Sequence, residues 1–240
     1  KEREFQLQLA REIQERFYGA AISLPGYDIA GATVQAEEVG GDYFDFFPYS
    51  DGRIGLVLGD VSGKGMPAAL LMTALKGAMQ VLLGGAPGDV ASLMSRLDRF
   101  AATNFPRNRF VSLFFGLLDP MSGELTYCNA GHNPPFLVRA DDSIERLPSC
   151  GTILGIFPDM GYEVQHCRLE PGDVLTMFSD GVTEENDPSG EEFGEERLAR
   201  LLIEKGRGGA VSLVEAVRQA VLGWAAGAAP ADDVTVVVAL

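Results

Sequence analysis

The sequence predicts an α+β fold in which antiparallel sheets are covered by helices, and three observations carry that prediction. Strand-like segments come in pairs around turn residues, apolar helices arrive in adjacent pairs, and Val234 to Leu240 is a fully apolar closing strand. Strands joined by short turns pair antiparallel, and an apolar helix face must be buried against another layer. No internal repeat, low-complexity segment or interdomain linker breaks this pattern.

From Glu4 to Tyr18, Phe5, Leu9, Ile13 and Phe17 recur every four residues among Arg, Glu and Gln, which makes one apolar stripe on an amphipathic helix. A strand is expected at Tyr27 to Gln35. Tyr43 to Pro48 and Arg53 to Gly59 flank Ser50-Asp51-Gly52 and read as a β-hairpin. Pro67 stands where proline is tolerated, in the first turn of a long apolar helix from Ala68 to Leu83, which Gly84-Gly85-Ala86-Pro87-Gly88 ends. Asp89 to Asn104 is a second helix with Val90, Leu93, Leu97 and Phe100 on one face. Strand pairs follow at Phe110 to Leu118 with Glu124 to Asn129, and at Pro135 to Arg139 with Ser143 to Leu147. Tyr162 to Leu169 and Val174 to Ser179 flank Glu170-Pro171-Gly172-Asp173 and are expected as a further hairpin. Glu195 to Glu204 and Val211 to Trp224 are helical.

Composition narrows the function classes. The chain has 240 residues, and 19 Lys plus Arg against 34 Asp plus Glu leave a formal charge of −15. Phosphate backbones and anionic membranes are held by clustered cations, so neither nucleic acid nor a lipid surface is an expected partner. No uninterrupted apolar run approaches the ~20 residues of a bilayer span, so membrane insertion is not expected. Cys128, Cys150 and Cys167 are odd in number and form no C-x-x-C pair, which gives neither a disulfide framework nor a zinc site. A soluble protein in a reducing, cytoplasmic setting is the expectation.

The positions of the aspartates are the most informative feature. Asp42 precedes the first strand of the Tyr43 hairpin, Asp60 follows the second, and Asp51 lies the same number of residues from each. A regular hairpin therefore sets Asp42 and Asp60 opposite one another, with Cβ atoms roughly 4.5–5.5 Å apart. Carboxylates that close repel unless one protonates or a cation sits between them. Asp180 ends another predicted strand, and Asp232-Asp233 begin the last one. An all-oxygen set suits Mg²⁺ or Mn²⁺, and with only His132 and His166 a His-rich metal site is not available. Against this stands the ordinary enrichment of Asp and Gly where strands turn. Gly59-Asp60-Val61-Ser62-Gly63-Lys64-Gly65 fails as a P-loop, because Leu58 and Gly65 stand where Gly and Ser or Thr are required. Its glycines do let backbone approach an ion, which makes the Val61 carbonyl a candidate contact. Ser62 is not framed as a Gly-x-Ser-x-Gly nucleophile, and His132 reads first as a turn-holding residue.

Five ordered motifs carry a family resemblance: Val39-Gly40-Gly41-Asp42-Tyr43-Phe44-Asp45, the Gly59 to Gly65 segment, Asn129-Ala130-Gly131-His132-Asn133-Pro134-Pro135, Ser179-Asp180-Gly181-Val182-Thr183-Glu184 and Asp232-Asp233-Val234-Thr235. Together they resemble the bacterial SpoIIE/RsbU-like branch of the type 2C metal-dependent protein phosphatases. The resemblance implies a four-layer α-β-β-α sandwich, with residues 1–18 as a linker or regulatory helix and 19–240 as the phosphatase domain. It implies two Mn²⁺ or Mg²⁺ ions and hydrolysis of phosphoserine or phosphothreonine by a metal-bridging water. Asp60 would bridge the ions, the Val61 carbonyl would bind one, Asp180 and Asp232 would complete the other, and Asp42 would bind directly or through water. Asp233 ranks below Asp232. Eukaryotic relatives carry His at the position of Ser62.

The resemblance also implies a substrate, a phosphorylated STAS-type anti-sigma-factor antagonist in partner-switching signal transduction. Members stand behind N-terminal sensory modules, and a homodimer through the first helix would cover its apolar stripe. The first helix and the helix Ala68 to Leu83 are expected to transmit a signal to the metal site. A catalytically inactive scaffold for the antagonist and a hydrolase of small phosphoesters are the alternative readings.

Overall fold

The computed structural model describes residues 2–84 and 88–240, so the segment 85–87 of the predicted helix stop lies outside the described residues. Every strand pairing within its two sheets is antiparallel. The chain divides into two compact units, each with one sheet and its own helices.

The first unit comprises residues 1–18, 37–132 and 149–168. It contains helix α1 (Glu2–Glu15) and, as it proves to be the second hairpin of the chain, strands β3 (Tyr43–Pro48) and β4 (Ile54–Val61), following β1 (Ile22–Leu24) and β2 (Tyr27–Val34) of the other unit. Helices α2 (Gly65–Leu83) and α3 (Val90–Asn104) come next, then β5 (Val111–Leu118) and β6 (Glu124–Ala130). After β7 (Phe136–Val138) and β8 (Ile144–Arg146) of the other unit, β9 (Gln165–Arg168) completes a five-stranded sheet ordered β3-β4-β5-β6-β9. Met72, Leu75 and Met79 recur along one face of α2, and Leu93, Met94 and Leu97 along α3. They meet Val57, Leu113, Phe115 and Cys128 from the sheet in one buried core. Pro67 is the third residue of α2, where its missing N–H is one the helix leaves unbonded in any case. Asp89 caps α3 by accepting from the Ser92 N–H at 2.8 Å. By length and composition alone α2 is long and apolar enough to cross a membrane, which differs from the expectation that no apolar stretch approaches that length. Seven of its residues are buried in this unit, including Ala68, Met72, Leu75 and Met79.

The second unit comprises residues 19–36, 133–148 and 169–240. Its remaining elements are β10 (Val174–Phe178), α4 (Asp180–Thr183), α5 (Gly194–Lys205), α6 (Ala210–Trp224) and β11 (Val234–Ala239). The sheet runs β1-β2-β11-β10-β7-β8. Leu198 and Leu202 of α5 and Leu213, Val217 and Val221 of α6 pack with Ala30, Phe136, Val138, Phe178 and Val236. The strand β1 and the short helix α4 have no counterpart in the sequence reading.

One expected hairpin is absent. The segments around Glu170-Pro171-Gly172-Asp173 do not pair with each other: β9 pairs with β6, and β10 pairs with β7 and β11. The turn is real, with the Asp173 N–H bonded to the Glu170 carbonyl at 3.0 Å. Its direction is set by side chains, because Asp173 is buried and accepts from the Arg139 guanidinium at 2.6 Å and the Ala140 N–H at 3.1 Å.

Candidate functional site

The hairpin register places the first pair of carboxylates. Tyr43 faces Gly59 and Pro48 faces Ile54, so the ladder is centred on Asp51, as the count along the sequence requires. The Tyr49 N–H donates to the Arg53 carbonyl at 2.9 Å and closes the turn. At the other end the Val61 N–H donates to the Gly41 carbonyl at 3.4 Å, which carries the register past Asp42 and Asp60. Asp42 is buried and Asp60 half-buried. Two full charges held about 5 Å apart repel by roughly 3 kcal/mol at an effective dielectric near 20.

Residue 41 shows why glycine stands beside Asp42. A Cβ there would lie 2.6 Å from the Val61 carbonyl oxygen, 3.2 Å from Ala68 Cβ and 3.5 Å from Asp60 Oδ1. The two strands thus approach over a patch of carboxylate and carbonyl oxygen that any side chain would fill. On the far side of β4, Ser112 of β5 is paired with Asp60. Ser112 Oγ lies 2.8 Å from His132 Nδ1, and the Asn129 side chain accepts the His132 N–H at 2.8 Å. His132 therefore holds its turn, as expected, and also meets the strand beside Asp60. The segment after Asp60 is braced by Arg109, whose guanidinium donates to the Ser62 carbonyl at 2.5 Å, and by the Phe110 N–H, which donates to Ser62 Oγ at 2.9 Å.

The helix α1 reaches the same loop. Gln14 is buried, and its amide donates to the Gly40 carbonyl at 2.7 Å while accepting the Gly40 N–H at 3.1 Å. Tyr18 donates to the Asp42 carbonyl at 3.4 Å and stacks on Phe44 with centroids 5.1 Å apart. On the other flank of β3, buried Asp45 is ion-paired with Lys76 of α2 and accepts from Tyr43 Oη at 2.8 Å.

In the second unit Asp180 opens α4 instead of ending a strand. Ser179 Oγ donates to the Asp233 carbonyl at 3.0 Å and accepts the Thr235 N–H at 3.0 Å. A Cβ on Gly181 would collide with the Asp233 carbonyl oxygen and come within 3.3 Å of the Asp232 carbonyl carbon. Asp180 and Asp232 are thereby brought to neighbouring backbone positions. Asp233 does different work: it is buried, and its carboxylate accepts the Ala36 N–H at 2.9 Å. Burial, then the charges of Asp180, Glu192 and Asp232, push the Glu184 carboxyl up from the usual range. Glu184 was missed as a site residue, although its four-residue spacing from Asp180 on one helical turn was a usable signal.

The sequence-derived set is therefore divided: Asp42, Asp60 and Val61 in one unit, Asp180 and Asp232 in the other. Among the described residues, no group of three or more His, Cys, Asp or Glu side chains is gathered closely enough to hold a metal ion by itself. The donors in each unit are hard oxygens, held beside glycines that keep the approach open, and this chemistry fits Mg²⁺ or Mn²⁺.

A sequence model of the family described as stage II sporulation protein E (SpoIIE) matches residues 50–240. The chain belongs to the SpoIIE family. It stands in the RsbU-like branch of the type 2C phosphatases, and its two antiparallel sheets flanked by helices are the fold of that group. Phosphoserine phosphatase RsbU of Bacillus subtilis is 33% identical over 183 residues, covering 75% of this chain and 53% of that protein. The crystal structure of joined RsbU and RsbW domains from Mycobacterium tuberculosis is 28% identical, with a TM-score of 0.77 over 93% of this chain and 62% of that one. The SiaA-PP2C domain of Pseudomonas aeruginosa is 18% identical, with a TM-score of 0.82 over 99% of this chain and 96% of that one. The chain spans about half the length of the curated relatives it matches.

Proposed function

We propose that this chain is a metal-dependent protein serine/threonine phosphatase domain acting on phosphoserine or phosphothreonine of a regulatory protein. The proposed substrate is a phosphorylated STAS-type anti-sigma-factor antagonist, in cytoplasmic partner switching. The observation that carries the reading is the opposed pair Asp42 and Asp60, beside a residue 41 that must lack a side chain, in a member of the SpoIIE family. Likeness to a phosphoserine phosphatase supports the reaction class, and likeness to joined RsbU and RsbW domains supports the setting.

The proposed ligands of two Mn²⁺ or Mg²⁺ ions are Asp42, Asp60 and the Val61 carbonyl, with Asp180 and Asp232. When bound, such ions supply a water acidic enough to ionise near neutral pH and neutralise charge on phosphoryl oxygens. The protein's own part is positional. Arg109 holds the Ser62 carbonyl, Gln14 holds Gly40, and Asp233 holds Ala36, so each acidic loop is fixed before any ligand arrives. A sensory module ahead of residue 1, and self-association through exposed Phe5, Leu9 and Ile13, belong to the same proposal. So does signal transmission by α1 and α2, whose Gln14 and Lys76 reach the Gly40 loop and Asp45.

The deciding experiment incubates the chain and Mn²⁺ with a phosphorylated STAS protein, and separately with a generic aryl phosphate. Phosphate release from the phosphoprotein, at a rate well above the aryl phosphate, is expected. Binding without release would establish a scaffold, and preference for the aryl phosphate would establish a small-phosphoester hydrolase.

A further inference from the structure

The sulfurs of the first unit form an arrangement that the phosphatase reading does not use. Cys128 lies in β6, fully buried, and Cys150 packs half-buried against the same core. The Cys150 N–H donates to the Asn129 carbonyl at 2.9 Å, and the Asn129 N–H donates back to Cys150 Sγ at 3.1 Å. Ala130 and Gly151 continue the contact as a parallel bridge. Cys150 is thus clamped one residue from Cys128, in the same core cluster. Cys167 sits on β9 opposite Leu125, three residues from Cys128 along β6 and so on the other face of the sheet.

We propose that Cys128 and Cys150 are a peroxide-reactive thiol pair that closes to a disulfide across the end of β6. The neighbouring Cys128 thiol, and then the Asn129 N–H, lower the Cys150 thiol to about 7 against the opposing effects of burial and Glu163. The neighbouring Cys150, and then burial, push the Cys128 thiol up. The thiolate is the nucleophile and the neutral thiol the resolving partner. Cys150 sulfur attacks one oxygen of a hydroperoxide, the O–O bond breaks, and the departing oxygen leaves as water or an alcohol after taking a proton. Cys128 sulfur then attacks the Cys150 sulfenic acid, its own proton leaves with the hydroxyl as water, and the S–S bond forms. Two thiols supply the two electrons that the peroxide accepts.

The position gives the bridge a consequence. Asn129, between the two cysteines, holds the His132 N–H, and His132 meets Ser112, which is paired with Asp60. A bond across residue 129 acts on the strand that flanks Asp60.

The test titrates the intact chain with hydrogen peroxide and reads intact mass, free thiols and a peptide map. Loss of two hydrogens is expected, with titratable thiols falling from three to one, a Cys128–Cys150 crosslinked peptide, and reversal by dithiothreitol. Cys167→Ser is expected to close as the parent does, and Cys150→Ser to leave Cys128 reduced. Both substitutions are at half-buried positions, so the fold is retained and checked by circular dichroism. A bridge containing Cys167, oxygen added to Cys150 without a bridge, or three thiols surviving excess peroxide would each overturn the proposal.

Discussion

Residue 41 has no room for a side chain because the Val61 carbonyl occupies the place where a Cβ would go. Gly41→Ala must push β4 away from Asp42, and Mn²⁺ affinity measured by calorimetry is expected to fall about tenfold or more while the circular dichroism spectrum is kept, in the range seen when outer positioning groups of metal sites are removed. Unchanged affinity would remove residue 41 from the metal argument. Asp98 gives a prediction of a different kind. It is buried, accepts the Gly155 N–H at 2.8 Å, and burial pushes its carboxyl up from 3.8. A raised folded-state value means the native state holds the proton more tightly. The stability of the parent relative to Asp98→Asn should therefore rise as pH falls through the folded value, and level off below about 3.8, where both states are protonated. Urea titrations across acidic pH, in which the gap stayed constant, would contradict this. The Asp98 effect was not legible in the sequence, because Gly155 lies far along the chain and only folding brings the two together, whereas Gly41 and Val61 face each other by the same hairpin count as Asp42 and Asp60.

Among the elements, α1 reaches the loop before Asp42 and α2 reaches Asp45 of β3, by different chemistry. Replacing Gln14 by Ala leaves the buried Gly40 N–H and carbonyl without their side-chain partner, at about 1–3 kcal/mol for each unsatisfied group. The expected outcome is weaker Mn²⁺ binding without loss of the sheet, and deletion of residues 1–18 should reproduce it; equal affinity in all three proteins would uncouple α1 from the site. Lys76→Ala strands buried Asp45, and urea unfolding should show a loss of about 3–5 kcal/mol, as when one partner of a buried ion pair is removed. The apolar stripe Phe5, Leu9 and Ile13 was visible at sequence level, and these side chains are indeed exposed, while Phe17 turns onto the core. Gln14 was not singled out, since a glutamine in an amphipathic helix looks like any solvated residue until the chain beyond is placed. The Tyr43 hairpin was readable because its turn is short and its register follows from counting residues. The Glu170 turn misled for the same reason: turn chemistry says that the chain reverses, and says nothing about which strand each arm pairs with.

For the whole molecule, each unit carries a continuous apolar core, so the fold does not depend on metal in the way a small zinc domain does. Chelation should leave the far-ultraviolet spectrum unchanged and abolish phosphatase activity, and Mn²⁺ at a hundred times its dissociation constant should add about 2.7 kcal/mol to unfolding stability by mass action. Asp180→Asn should remove turnover and keep the melting transition of the metal-free protein; persistent turnover would place the chemistry elsewhere. The alternation of helices and paired strands announced the α+β class early, while the division of the sites between residues drawn from distant stretches could not be read from spacing. The sheet borders have a last consequence for handling. Three of the four outermost strands, β1, β8 and β9, are only three or four residues long, and the fourth, β3, finishes at Pro48, which offers no N–H. Such rims give an incoming chain little to zip onto. Concentrated native stocks should accordingly resist fibril seeding, with any precipitation following the rate of unfolding.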